Sequence, residues 1–195
     1  MSWHAVGVGA AFFVGGGIFA SLAEYWAHRV MHQVRWLGKT HRRHHARGTA
    51  QGVLLEYAEY VWKTCWLMWP PFLISVPCGL GWLVGTNLYA VFSAFSHQLQ
   101  HENPGKCFWL TMPIHFVHHA HNQWHHNFGV TVDVWDHVFG TYQRLQWRDR
   151  LQPKQAQPGR RIWQINWLWG GNAIATDVTG RQQKAKEACN PGSRS

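Results

Sequence analysis

Ten histidines fall into four short clusters: His28-x3-His32, His41-x2-His44-His45, His97-x3-His101 and His115-x2-His118-His119. Imidazole is the commonest side-chain metal ligand, and spacings of three and four residues put each cluster's rings on one side of a helix. The last cluster opens a stretch, His115 to His126, that holds six histidines in twelve residues. One such pair decorates many protein surfaces; four clusters, each at or beside the end of an expected membrane helix, are a site. Ten imidazoles exceed the roughly four to six ligands one transition metal takes and suit two metals sharing a site. All-imidazole coordination favours iron, zinc or copper, since calcium and magnesium want oxygen. Neutral ligands leave the metals' charge uncompensated, and anionic oxygen bridges can supply it, which suits oxygen activation by two irons.

A metal-bound imidazole usually gives its other N–H to a carboxylate or carbonyl. Glu24 lies four residues before His28, Glu56 and Glu59 follow the second cluster, Glu102 follows His101, and Asp133 and Asp136 follow the last. These six acids are candidates to hold the ligands in place. The plainer reading makes Glu24 a polar residue at a membrane end and Glu59 an i,i+4 partner of Lys63.

The histidines need elements that bring them together. Residues 3–27 are almost entirely apolar, long enough for a helix to cross a bilayer. Ser21-Leu22-Ala23 resembles a signal-peptide cleavage site, but no Lys or Arg precedes Arg29, so a retained helix is expected. Between Arg29 and Arg47 there are six basic residues and no acid, which places this segment in the cytoplasm and the N-terminus outside. Val53 to Lys63 reads as an amphipathic helix with Glu56, Glu59 and Lys63 on one face. Thr64 to Phe95 is nearly free of charge and is broken by Pro70-Pro71, Pro77, Gly79 and Gly81. It reads as two membrane helices turning near Pro77–Gly81. That hairpin brings His97 and His101 back to the face of His28 to His45.

Alternation at 130–134 suggests a short extended piece, followed by a helical turn ending at Gly140. The expected organisation is a membrane domain over residues 1–142 and a basic, Trp-containing cytoplasmic tail over 143–195. In the tail Trp163, Trp167 and Trp169 serve as interfacial anchors, and disorder sets in beyond Asp177. The fold class is all-α integral membrane: about three transmembrane helices, with a fourth partial one as an option, under a cytoplasmic helical histidine-rich cap. The formal charge of +9 is better explained by a membrane surface than by nucleic acid. Cys65, Cys78, Cys107 and Cys189 form neither a zinc ribbon nor a disulfide framework.

From Glu24 to Tyr142 the chain resembles the fatty acid hydroxylase and sterol desaturase superfamily of membrane di-iron enzymes. The resemblance rests on the four histidine boxes and the closing Asn127-Phe128-Gly129-Val130…Trp135-Asp136-His137-Val138-Phe139-Gly140-Thr141. It implies a helical membrane domain that uses O2 and an external electron donor, ferredoxin-like or a haem protein with its reductase, to hydroxylate or desaturate lipid C–H bonds. It also implies two iron ions, replaceable by zinc on isolation. By the same resemblance His28, His32, His41, His44, His45, His97, His101, His115, His118 and His119 are the ligands, with His121, His125 and His126 as further candidates in an enriched last box. His4 and His137 read as non-ligands. Hydroxylation of a fatty-acyl, sterol or isoprenoid substrate is preferred over desaturation because of the closing motif. A carotenoid hydroxylase is suggested by the short chain. Rival classes are a membrane metal transporter, disfavoured because Asn87 is the only strongly polar residue between Thr64 and Phe95, and a zinc hydrolase, which would keep fewer ligands per metal.

Overall fold

Ser2 caps the first helix by accepting a hydrogen bond from the Ala5 N–H, and α1 then runs unbroken over Trp3–Gln33. At 1.5 Å per residue its 31 residues reach about 46 Å, more than the bilayer core of about 30 Å. The computed structural model describes residues 2–156 and 159–168. The remaining elements are α2 (Lys39–Arg47), α3 (Val53–Thr64), α4 (Val76–Glu102), α5 (Ile114–Ala120) and α6 (Val134–Val138), joined by short 3-10 turns. No strand occurs among the described residues.

Two helices, α1 and α4, are long and apolar enough to cross a membrane. They pack in parallel, because Gly9 meets Pro77, Phe13 meets Gly85, and Gly16 meets Trp82 and Thr86. Glycine makes this approach possible: a Cβ on Gly81 or Gly85 would run into the carbonyl of Gly9 or Phe13, on the helix opposite. Small residues at such a contact let backbones approach closely, a device common in membranes. Outward faces carry exposed Val14, Ile18, Leu80, Val84 and Leu88.

Parallel helices require the chain to travel back between them. Of the two membrane helices expected between Thr64 and Phe95, only the second forms, as α4. α3, only 12 residues long, runs from the histidine end, and 3-10 turns at Cys65–Leu67 and Pro70–Leu73 carry the chain to the start of α4. Tyr57 donates to Asn87 (2.9 Å) and the Trp82 indole donates to the Leu67 carbonyl (3.0 Å) along this return. The reversal falls at Trp69–Ser75 rather than at Pro77–Gly81. Pro77 occupies the first turn of α4, where no N–H is needed, and Ser75 caps that helix at the Cys78 N–H. Gly79 and Gly81 turn out to be packing positions: Gly79 lies under the Phe72 ring and Gly81 against α1.

The extended piece expected at 130–134 is also absent. The N–H groups of Val130 and Thr131 go instead to the Glu24 carboxylate, at 3.0 and 3.1 Å. Beyond Tyr142 the chain folds back over the histidine end. Ile165 joins Val53, Leu99, Cys107, Leu110 and Ile114 in the core. Glu102 accepts from Arg160 (2.6 Å) and from the Asn166 N–H (3.0 Å). Trp163 and Trp167 are largely exposed; Trp169 and the expected disorder past Asp177 lie outside the described residues.

Candidate metal centre

Four helices deliver the clustered histidines to one place. His28 and His32 come from the end of α1, His41 and His45 from α2, and His118 from α5; their ligand nitrogens all lie within 4.8 Å of one another. A second group, adjoining the first, brings together His44 of α2, His101 of α4, and His115 and His119 of α5 on the same criterion. His97 adjoins this second group, its Nε2 3.2 Å from that of His44. All ten histidines singled out from the sequence therefore converge, in two adjacent sets.

The backbone sets the protonation of four of them. Nδ1 of His28 faces the Phe128 carbonyl at 2.6 Å, that of His44 the Thr49 carbonyl at 3.0 Å, that of His101 the Gly48 carbonyl at 3.3 Å, and that of His118 the His126 carbonyl at 2.9 Å. A carbonyl only accepts, so Nδ1 carries the proton and, in the neutral ring, Nε2 carries a lone pair. Yet Nε2 of His44 and Nε2 of His101 are 3.2 Å apart. With neither bearing a proton, this is lone pair against lone pair, an arrangement that calls for a cation. Two nitrogens each about 2.1 Å from a shared ion are separated by about 3.0–3.4 Å. Of the spacings within the first group, 3.2 Å for His118–His45 and 3.3 Å for His28–His32 fall in that range, and 2.9 Å for His118–His32 lies just below it. The donor set fits metal ions.

Six of these rings are also held neutral. Burial, then the neighbouring His97, lowers His44 to about 3 and His45 to about 4. Burial and adjacent imidazoles hold His41, His115, His118 and His119 well below the usual histidine range. In the metal-free chain the sign of the pH effect follows. Below about pH 6.5 the unfolded chain takes up protons that the folded chain refuses, so stability falls with pH until the folded-state values are reached. Thermal melts of stripped protein are expected to drop steadily between about pH 6.5 and pH 4; a flat profile would contradict this burial.

The six acids divide. Among the described residues Glu56 alone faces one of the ten converging rings, its Oε1 3.4 Å from His97 Nδ1, with both side chains largely buried. Glu24 accepts from the N–H of Val130 and Thr131, from the Thr131 hydroxyl (2.8 Å) and from Ser93, tying α1 and α4 to the loop after α5. Asp136 accepts from the N–H of Phe128 (2.8 Å) and Gly129 (2.7 Å) and from the Thr141 hydroxyl (2.6 Å). Both hold the loop that presents the Phe128 carbonyl to His28. Glu59 does not reach the histidines and pairs with Lys63. Glu102 holds Arg160 and Asn166, and Asp133 lies 3.8 Å from exposed His137. Replacing Asp136 with alanine strands two buried N–H groups, and unfolding measurements are expected to show a loss of about 2–4 kcal/mol.

Of the further histidines, His121 meets the Gln146 carbonyl (2.9 Å), His126 contributes its backbone carbonyl, and the side chains of His125 and His126 are exposed. None joins either group. His137 stacks on Tyr142 and His4 is exposed. The sequence reading missed the backbone carbonyls of Gly48, Thr49, Phe128 and His126, which carry no side-chain signature. It also missed Trp124, whose ring lies 4.8 Å from that of His32 and stacks on His45.

Comparison with known proteins places this arrangement. Human alkylglycerol monooxygenase is 27% identical over 129 residues, covering 61% of this chain and 28% of that protein. The very-long-chain aldehyde decarbonylase GL1-6 of Oryza sativa subsp. indica is 30% identical over 151 residues, covering 64% of this chain and 23% of the relative. Protein CER1-like 1 of Arabidopsis thaliana is 24% identical over 135 residues, 62% of this chain and 21% of its own length. The chain thus spans less than a third of the length of these relatives. No solved structure matches it significantly. The profile described as fatty acid hydroxylase matches residues 13–141. Running from α1 to just beyond α6 and taking in all ten converging histidines, that match means that the chain belongs to the fatty acid hydroxylase family.

Proposed function

We propose that the protein is a membrane-bound oxygenase that hydroxylates a C–H bond of a lipid, using O2, two irons and electrons from an external donor. The observation that carries this reading is the pair of adjacent imidazole groups with unprotonated Nε2 atoms at ligand–ligand spacing. Its setting supports it, at one end of two parallel apolar helices. The relatives' names, alkylglycerol monooxygenase and very-long-chain aldehyde decarbonylase, favour a long-chain lipid substrate.

In this reading His28, His32, His41, His45 and His118 hold one iron, and His44, His97, His101, His115 and His119 the other. When bound, the irons supply the reduction of O2 and the oxidation of the substrate carbon. The chain's own part is placement. Carbonyls of Gly48, Thr49, Phe128 and His126 fix ring orientation, Glu56 orients His97, and Trp124 shields His32 and His45 from water. Residues 1–142 form the membrane unit, with α1 and α4 crossing the bilayer and residues 53–75 returning between them. Basic residues from Arg29 to Arg47 put the histidine end in the cytoplasm and the N-terminus outside.

The test is the metal content of gently detergent-purified protein, followed by mass analysis of lipids after reduction under 18O2. About two metals per chain and labelled hydroxyl in a lipid are expected. One metal or none after metal-replete expression, with folding intact, would overturn the reading. Glu56→Gln keeps the shape but removes the charge beside His97; metal affinity or turnover is expected to fall about 10–100-fold.

A further inference from the structure

Helix α2 has two faces of different chemistry. His41, His44 and His45 point inward to both imidazole groups. Lys39, Arg43 and Arg47, at i, i+4 and i+8, line the opposite face and are exposed. Arg35 and Trp36, also exposed, precede it. None of these four basic side chains has an ion-pair partner among the described residues. Like charges at i,i+4 oppose helix formation, so the stripe is a feature the helix would be better off without. α2 is also the thinnest cover of the site. Of the four histidine-bearing helices it alone has no buried residue, whereas α5 is covered by Leu145, Trp147 and Leu151. From the outer face of one helix to its inner face is about 10 Å.

We propose that this outer face of α2 is the docking site for a small acidic one-electron carrier protein. The inference rests on the oxygenase reading. Hydroxylation of one C–H bond by O2 consumes two electrons and two protons and yields one water, and the carrier supplies the electrons one at a time. An acidic surface seated on Lys39, Arg43 and Arg47 lies one helix away from both groups, since His44 serves one and His41 and His45 the other. Charge complementarity of this kind steers encounter and fixes orientation, and weakens with salt. An anionic bilayer offers the same charge, but nothing in that contact would use the position of the stripe directly behind the histidines.

The test uses full-length protein in neutral-lipid nanodiscs with a plant-type [2Fe–2S] ferredoxin as probe. Binding to native protein is expected to weaken steeply with salt, and K39E/R43E/R47E is expected to bind at least tenfold more weakly. R148E/R150E, a reversal elsewhere on the surface, should bind as the native chain does. Metal content and lipid oxidation driven by a chemical reductant, both retained in K39E/R43E/R47E, establish that the centre is intact. Ferredoxin binding that is absent in the native chain, or unchanged by the α2 reversal, overturns the proposal. So does a reversal that weakens only adhesion to anionic vesicles, since that makes the face a membrane contact. Should the native protein hold no metal and oxidise no lipid with any reductant, the oxygenase reading fails, and the binding result shows separately whether the face engages the probe.

Discussion

His119→Ala is expected to lose metal and all lipid oxidation while the chain still inserts into the membrane. The His119 Nε2 is buried and, among the described residues, without a hydrogen-bond partner, a condition that costs about 1–3 kcal/mol unless something satisfies the nitrogen. Its ring stacks at 3.9 Å on His45, so it also joins the two groups mechanically. Removing an outer partner of a metal ligand costs about 10–100-fold in affinity; removing the ligand itself should exceed that. His45→Ala should behave alike from the other group. His137→Ala is the control, because His137 stacks on Tyr142 at the surface and belongs to neither group. Metal counting by mass spectrometry beside an activity assay decides the matter. A fully active His119→Ala protein would remove His119 from the ligand set.

A leucine at Gly85 should be as damaging, from about 12 residues below the histidines. Its side chain would have to occupy the space of the Phe13 carbonyl on α1. Overpacking usually costs about 1–3 kcal/mol, and here the obstruction is backbone, which cannot rotate away. Forcing α1 and α4 apart also pulls Glu24 from Ser93 and moves His28 relative to His97. We expect Gly85→Leu to lower the unfolding midpoint in detergent and to reduce metal content. Gly15, on α1 next to the closely packed Gly16, has nothing near its side-chain position. Gly15→Leu should therefore be tolerated, and equal damage from both substitutions would refute the close-approach argument.

The contrast between those glycines shows where reading the sequence stopped. Histidine spacing identified all ten converging rings, because i, i+3 and i+4 positions share a helix face whatever the tertiary setting. It did not divide them into sets. His44 and His45 are adjacent in sequence yet serve different groups, and only the placement of α5 decides that. Gly79 and Gly81 read as part of a turn, yet Gly79 packs under Phe72 and Gly81 against Gly9 and Phe13 of α1. Glycine and proline signal both a reversal and a tight contact, and local sequence does not separate the two. Glu56 and Glu59 were both candidates to hold a ligand; Glu56 faces His97, whereas Glu59 pairs with Lys63 as the plainer reading expects. The groups that orient His28, His44, His101 and His118 are main-chain carbonyls, which every residue possesses and no composition reveals.

The bond from His28 to the Phe128 carbonyl spans 100 residues, and Tyr25 meets Thr141 across 116. That distance imposes an order in time. A ribosome adds roughly 5–20 residues per second, so Phe128 is made about 5–20 s after His28. The first group draws on His118, and no earlier stretch of chain holds its full set. In the proposed reading, metal delivery must therefore wait until α5 has been made, long after α1. A nascent chain stalled before Thr141 would display bare imidazoles to any zinc or copper in the cell. In that reading, metal choice is in part a matter of when the loop after α5 arrives.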